Sequence, residues 1–360
     1  MNEGKKVLVG MSGGVDSSVA ALLLKRAGYQ VTGAFMKNFS GAKNKITGEC
    51  SWVEDRKDAL KIASLLEIPL IILNYEKEYN KEILKPMFES YARGRTPNPD
   101  MDCNTTIKFP FLWSEAKKRK IDYIATGHYA RIRKSKSGYQ LLAGKDRKKD
   151  QSYFLAGLSQ MDLSHTLFPI GEFTKEKIRK IARKNDFPNW NRQGTRGICF
   201  VGKQNMIDFL RRRITENPGR VKDTEGNIIG IHRGVAYYTI GQKAGEHAGI
   251  IIQKPANLAQ RRFYIAEKRG NILIAAPEGH HSLKKKRVPL KRFHFINGNK
   301  EIPKKIRARI RHLGEKNAGR LVKKNRRYEF IFRKPQEGLA PGQYLVFYEG
   351  RRVVGSGEIE

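Results

Sequence analysis

The stretch Gly10-Met11-Ser12-Gly13-Gly14-Val15-Asp16-Ser17-Ser18 decides the fold. It follows an apolar strand over 6–10, and it leads into a helical pattern over 17–28 that Gly28 closes. Two adjacent glycines permit a tight turn whose backbone N–H groups converge on an anion, and the helix that follows adds its partial positive charge. No Gly-Lys-Ser/Thr follows, so this is not a Walker loop, and the spacing does not fit a dinucleotide-binding fingerprint. A plainer reading is an ordinary β–α turn with Ser17 as the helix N-cap.

Working outward, strands are expected over 30–36, 70–74 and 121–126, with helices over 54–66 and 80–93. This alternation is the pattern of βαβ units around a parallel sheet. Looser helical segments are expected over 151–158, 175–184 and 204–214. From Gly219 onward, short strands separated by turns such as Glu225-Gly226-Asn227 and Asn297-Gly298-Asn299 replace the helical period. The predicted organisation is an α/β domain over 1–218, a small all-β unit over 219–282 and a basic, barrel-like all-β unit over 283–360.

The 360 residues contain 71 Lys and Arg against 35 Asp and Glu, a formal charge of +36. An excess of that size calls for an anionic partner, or reflects a generally basic proteome. Its distribution favours the partner. Residues 281–334 hold 20 Lys and Arg and three acids, a net +17, yet alternate like strands in Tyr328-Glu329-Phe330-Ile331-Phe332-Arg333. A folded basic module beside an enzyme-like domain points to nucleic acid. Apolar runs such as 19–24 and 69–73 fall far short of the ~20 residues of a membrane span. No signal or transit segment opens the chain, and three widely spaced cysteines make no secreted scaffold. A cytosolic protein with reduced thiols is expected.

Cys103 lies in Thr96-Pro97-Asn98-Pro99-Asp100-Met101-Asp102-Cys103-Asn104, just before an amphipathic helix. A helix N-terminus favours the thiolate, whereas Asp100 and Asp102 oppose it. Cys199 lies in the small-residue string Gly197-Ile198-Cys199-Phe200-Val201-Gly202. For any one cysteine the plainer reading is a buried small hydrophobe. No C-x-x-C occurs, which disfavours a zinc ribbon, and nothing around Cys50 implies chemistry. Ala125-Thr126-Gly127-His128-Tyr129-Ala130-Arg131 ends a strand, where open α/β sheets place ligand loops. Lys149-Asp150-Gln151-Ser152-Tyr153-Phe154-Leu155 and Tyr237-Tyr238-Thr239-Ile240-Gly241-Gln242 read alone as a capped helix start and a strand with its turn.

Taken in order, these strings resemble the bacterial tRNA-specific 2-thiouridylases, members of the ATP pyrophosphatase (PP-loop) superfamily. The resemblance also takes in Gly94-Arg95, Ile107-Lys108-Phe109, Phe168-Pro169-Ile170-Gly171-Glu172 and Gly338-Leu339-Ala340-Pro341-Gly342-Gln343, and so covers nearly the whole chain. It implies a PP-loop fold of the adenine-nucleotide alpha-hydrolase-like kind, and ATP-dependent 2-thiolation of the tRNA wobble uridine. Gly10, Met11, Ser12, Gly13, Gly14, Val15, Asp16 and Ser17 would hold ATP with Mg2+, with Met36 and Gly127 lining the pocket. Cys103 would be the nucleophile and Cys199 the persulfide carrier, able to join in a catalytic disulfide. Asn98, Pro99 and Asp100 would face the target base. Lys149, Asp150, Gln151, Arg311 and His312 would contact the anticodon arm of tRNA. A cysteine desulfurase or relay protein would supply sulfur, and the sequence leaves open an iron–sulfur cluster on Cys103, Cys199 and Asp100.

Two residues and one segment depart from the family pattern. His312 stands where relatives often carry Tyr, Asp102 adds an acid before Cys103, and 243–247 lacks the usual basic, Gly-rich continuation. The competing enzyme readings are a 4-thiouridine synthetase and an amidotransferase-linked synthetase. The two motif-embedded cysteines and the basic β units disfavour the amidotransferase-linked synthetase. A loop beginning as early as Gly10 disfavours the 4-thiouridine synthetase. A non-catalytic RNA-binding protein is the alternative from another class, disfavoured by intact Ser12, Asp16, Cys103 and Cys199.

Overall fold

The computed structural model describes residues 4–41, 50–192, 206–252, 262–298, 302–325 and 327–360. Cys199 and its string therefore lie outside the described residues. The N-terminal part runs β1 (Lys6–Gly10), α1 (Val15–Arg26), β2 (Gln30–Lys37), α2 (Ser51–Leu65) and β3 (Leu70–Asn74). It continues through α3 (Glu76–Tyr79), α4 (Lys85–Ala92), α5 (Pro99–Cys103), α6 (Phe109–Lys118) and β4 (Tyr123–Thr126). After a hairpin, β5 (Ala130–Ser135) and β6 (Gly138–Ala143), come α7 (Gln160–Ser164), β7 (Thr166–Leu167), α8 (Lys175–Lys184) and α9 (Met206–Arg211).

The expected parallel sheet forms in the order β3-β2-β1-β4-β7, with every neighbouring pair parallel. Its central strand β1 is fully buried at Val7, Leu8 and Val9, because a strand covered by helices on both faces must be apolar at every position. One face packs on α1 and α2 through Val9, Val19, Phe35 and Ile62. The other packs on α3 to α6 through Leu8, Met36, Ile107 and Leu112. The glycine loop leaves the carboxyl end of β1, where the strand order reverses to either side, the usual ligand position in such sheets.

The helix expected over 80–93 is broken into α3, a π turn at Asn80–Leu84 and α4. A second π turn, Asn104–Lys108, joins α5 to α6. Both turns end just before a helix with proline in its first two positions, Pro86 and Pro110. Proline lacks the N–H that would continue the regular ladder, and the wider turn accommodates the gap.

The segment 151–158 is not the expected helix. It is a run of turns with bonds such as Phe154 N–H to Gln151 O and Leu155 N–H to Ser152 O. Asp150 accepts from the nearby Gly144 and Ser152 N–H groups and from the Arg309 side chain, and Gln151 accepts from Tyr129 N–H, so both side chains are held by bonds that a regular helix would not make.

From Gly219 the described residues form strands joined by turns and three short 3-10 turns, in line with the turn signals. β8 (Gly219–Lys222), β9 (Ile228–His232), β10 (Lys243–Ala244), β11 (Ile251–Ile252), β12 (Phe263–Arg269) and β13 (Ile272–Pro277) form one six-stranded sheet. β14 (Lys284–Phe295), β15 (Ile306–Arg309), β16 (Asn317–Lys324), β17 (Arg327–Glu337), β18 (Tyr344–Glu349) and β19 (Arg352–Ile359) form the next, and β14 also pairs with β19. This second sheet recruits the β5–β6 hairpin at its edge through Arg352 and Leu142. The hairpin was not foreseen: it lies in the N-terminal segment but extends the C-terminal sheet. No helix among the described residues is long and apolar enough to cross a membrane.

Candidate active site

The cradle after β1 is built from glycines. Gly14 is the N-cap of α1 and provides no side-chain cap, so the first N–H groups of the helix keep no side-chain partner. Ser17, the expected cap, lies instead inside the first turn, and its hydroxyl donates to Gly14 O at 3.0 Å and accepts from Ser12 N–H at 3.2 Å. Gly13 adopts φ +72°, and a Cβ there would sit 2.3 Å from Asp55 O. Across the sheet, Gly127 follows β4 and abuts α1 so closely that a Cβ would lie 2.6 Å from Ser17 N. Uncapped donors at a helix start, framed by glycines on both sides, fit a triphosphate.

Asp16 is the hub of the loop's surroundings. Its carboxylate accepts from Tyr129 OH at 2.7 Å and from Lys175 Nζ at 2.7 and 2.8 Å. Burial, reinforced by the neighbouring Asp16 charge, pushes the Tyr129 phenol up and keeps it a proton donor. On the far side, Asn189 Nδ2 donates to Gly13 O at 2.8 Å, and Arg192 pairs with Asp55 at 2.5 Å and Asp58 at 2.7 Å. Lys175, Asn189 and Arg192 were not singled out from sequence. Each is a lone polar residue whose partner is more than 130 positions away, and no local pattern marks it. The carboxylates beside the cradle are thus engaged by protein cations, so the donor set does not suit a protein-held magnesium ion. Among the described residues, no group of three or more His, Cys, Asp or Glu could hold a metal.

At the end of β2, Met36 is buried, paired in register with Leu73. Asn38 follows it, 2% exposed, with neither amide atom hydrogen-bonded. After β4, His128 is buried and bonded through Nδ1 to Thr126 Oγ1 at 2.7 Å. Burial, with help from Lys108, holds this imidazole neutral, well below its usual range.

Cys103 is fully buried in the core shared with Leu8, Met36 and Ile107. It does not stand at a helix N-terminus, as the sequence suggested. It ends α5, and the helical path continues through the π turn into α6. Cys103 therefore gains no thiolate stabilisation from a helix N-terminus, because that effect fades within the first turn. Asn98 caps α5, accepting from Met101 N–H at 3.2 Å. Asn104 is buried, its Nδ2 donating to Phe154 O at 3.1 Å while its Oδ1 has no partner.

The C-terminal sheet braces this segment. Gln343 Nε2 donates to Thr96 O at 3.1 Å and Pro97 O at 2.9 Å, and Asn98 Nδ2 donates to Gln343 Oε1 at 3.3 Å. Arg95 pairs with Glu358 at 3.0 Å. Tyr344 OH donates to Asp102 Oδ1 at 2.9 Å, which gives the unexpected acid a structural partner. Burial pushes the Asp102 carboxyl up to about 6, against the opposing Tyr344 hydrogen bond and Arg292 charge. The folded state thus holds this proton more tightly than the unfolded chain does, where a carboxyl titrates near ~4. The associated stability is present below about 4 and is lost as pH rises to about 6. Asp102→Asn is expected to flatten stability across that window and to melt above the parent at pH 8, a comparison thermal melts at pH 4, 6 and 8 will make.

The two segments expected to contact tRNA meet in space. Lys149 and Arg311 are exposed. Asp150 is 1% exposed; its Oδ1 accepts from Gly144 N–H at 3.0 Å and Ser152 N–H at 3.1 Å, and its Oδ2 from Arg309 at 2.6 Å. Gln151 Oε1 accepts from Tyr129 N–H at 3.0 Å. His312 Nε2 lies 2.8 Å from the Asp150 carbonyl oxygen, and its ring rests 4.5 Å from Phe154.

Comparison with known proteins gives the geometry its family. The model described as tRNA methyl transferase HUP domain matches residues 5–203, that of the PRC-barrel domain 207–276, and that of the Aminomethyltransferase beta-barrel domain 285–359. The tRNA-specific 2-thiouridylase MnmA 1 of Geobacillus kaustophilus is 40% identical, over 99% of this chain and 95% of its own. The tRNA-specific 2-thiouridylase MnmA of Nitrosomonas europaea is 39% identical, over 98% of each. With likeness of this degree from end to end, the chain belongs to the tRNA-specific 2-thiouridylase family.

Proposed function

We infer that this protein is an ATP-dependent tRNA-uridine 2-sulfurtransferase. It adenylates O2 of the wobble uridine (position 34) and replaces that oxygen with sulfur, giving 2-thiouridine, AMP and pyrophosphate. The observation that carries the reading is the glycine cradle at β1, retained on a chain alike from end to end to 2-thiouridylases.

The chemistry explains the parts. The C2 carbonyl of uracil is a poor electrophile with a poor leaving group. Attack by O2 on the α-phosphorus of ATP breaks the α–β anhydride and makes that oxygen part of a departing AMP. Loop N–H groups aimed at the phosphates stabilise charge that grows during transfer. When bound, magnesium offsets charge on the triphosphate.

Sulfur then arrives from a Cys199 persulfide, loaded by a cysteine desulfurase or a relay protein. Either its terminal sulfur attacks C2 and AMP leaves, after which Cys103 attacks the Cys199 sulfur and releases thiouridine. Or Cys103 attacks Cys199 first and frees sulfide, which attacks C2. Both routes end in a Cys103–Cys199 disulfide and transfer one sulfur at the zero oxidation level, reduced by the two thiols. Because Cys103 is fully buried, its segment must shift before it reacts, and the π turn that follows provides a weak point for that shift. The Asn98-Pro99-Asp100 segment, braced by Gln343, faces the flipped base, which must leave its stack to be reached. The basic surface around Lys149 and Arg311 holds the anticodon arm.

Pyrophosphate exchange into ATP separates this enzyme from a protein that only binds RNA. The expected result is exchange that rises at least tenfold on adding unmodified tRNA. A protein that binds tRNA but shows no tRNA-dependent exchange is not this enzyme.

A further inference from the structure

Between the two tRNA-contacting segments lies an ion pair that neither family pattern nor sequence marked. Arg309, on β15, reaches Asp150 at 2.6 Å, with side chains only 11% and 2% exposed. The carboxylate is otherwise filled by the N–H groups of Gly144 and Ser152. The guanidinium lies over the Tyr348 ring, 5.0 Å from its centroid, and its Nε has no hydrogen-bond partner. Around the pair, Ser152 Oγ meets Tyr348 OH at 3.3 Å, and Tyr153 OH donates to Tyr344 O at 2.8 Å. His312, three residues after Arg309, docks on the Asp150 carbonyl.

We propose that the Arg309–Asp150 pair is a clasp that sets segments 149–151 and 311–312 into one composite surface for the tRNA backbone, making Arg309 a positioning residue for RNA capture. The proposal rests on the functional reading above. A carboxylate sealed from solvent by three donors cannot itself meet a phosphate, and like charge would repel one. A buried ion pair adds little net stability against its desolvation cost, and its recognised use is to fix one arrangement among alternatives. Here the arrangement fixed is the spacing between exposed Lys149 and exposed Arg311, which come from different domains. Phosphates along an RNA strand are regularly spaced, so cations held at a set separation bind without first losing freedom.

Two variants test this in the full chain. Arg309→Met keeps bulk over Tyr348 and removes the charge. Arg309→Met combined with Asp150→Asn leaves no unpaired buried charge, so folding is protected. Filter binding of tRNA across a salt series, ATP affinity and steady-state thiolation are measured for each. The expected result for both is a Kd and KM for tRNA raised about tenfold; for Arg309→Met alone, ATP affinity and kcat at saturating tRNA stay within twofold of the parent. The slope of log affinity against log salt should shrink by ~0.7–0.9 for each phosphate that is no longer neutralised, although Arg309 touches no phosphate. A double variant with parental tRNA affinity and slope overturns the clasp, as does a fall in kcat and ATP affinity in step with tRNA binding. A parent protein that binds tRNA without thiolating it would instead overturn the functional reading, and the clasp would be judged on binding alone.

Discussion

Replacing either Cys103 or Cys199 with serine is expected to stop 2-thiouridine formation while AMP release from ATP continues. Serine keeps the size of the side chain and removes the sulfur nucleophile. In the proposed reaction adenylation depends on the loop and the base, not on either thiol, so the two half-reactions come apart. The variants should differ from each other as well. Cys199→Ser should accept no labelled persulfide sulfur, whereas Cys103→Ser should accept it and stall with the label bound. Cys103 is fully buried, and a hydroxyl is more costly than a thiol to take out of water, so serine changes stability as well as chemistry. Cys103→Ala is therefore the companion variant that separates lost chemistry from lost stability. Cys50→Ser should match the parent: the Cys50 thiol donates to Ser40 O at 3.0 Å, a bond that a serine hydroxyl can also make. Normal thiolation by Cys199→Ser removes the persulfide role, and label retained there moves the carrier to another residue.

The second large effect belongs to Asp16. Its carboxylate gathers Tyr129 and Lys175 beside the first turn of α1. Asp16→Ala leaves an ammonium and a phenol without their acceptor next to the phosphate cradle, and removes the tie between α1 and α8. Tyr129 lies directly before the hairpin that joins the C-terminal sheet, but the cations proposed to face tRNA are elsewhere. The expected outcome is a loss of AMP formation of at least a hundredfold, with tRNA affinity within threefold of the parent. AMP formation at the parental rate would remove Asp16 from the nucleotide site.

Much of this was legible in the sequence because the signals are local. The strands over 6–10 and 70–74 were bounded to the residue, since turn residues flank continuous apolar runs. The glycine loop declared itself through a string that no ordinary turn needs. What stayed hidden depends on residues far apart in the chain. Ala130-Arg131-Ile132-Arg133 alternates like a strand, yet nothing local says that its hairpin completes a sheet more than 200 residues later. Asp150 looks like a helix cap until Arg309 is placed beside it. Asp102 looks like a misplaced acid until Tyr344 arrives from β18. Cys103 reads as preceding a helix because the apolar period begins only after it, whereas Pro99 opens a short helix that ends at Cys103. Asn38 carries no sequence signal beyond its place after a strand. Its two unpartnered amide atoms are visible only in three dimensions.

The central claim is that sulfur enters C2 of the wobble uridine at the expense of ATP. The most direct measurement incubates the full-length protein with ATP, magnesium, unmodified tRNA and a persulfide donor. Nucleosides are then identified by mass spectrometry after digestion of the isolated anticodon arm, with AMP counted in parallel. The account predicts 2-thiouridine at position 34, formed only with ATP and with at least one AMP released per sulfur. Sulfur found as 4-thiouridine, or 2-thiouridine formed equally well without ATP, would contradict it.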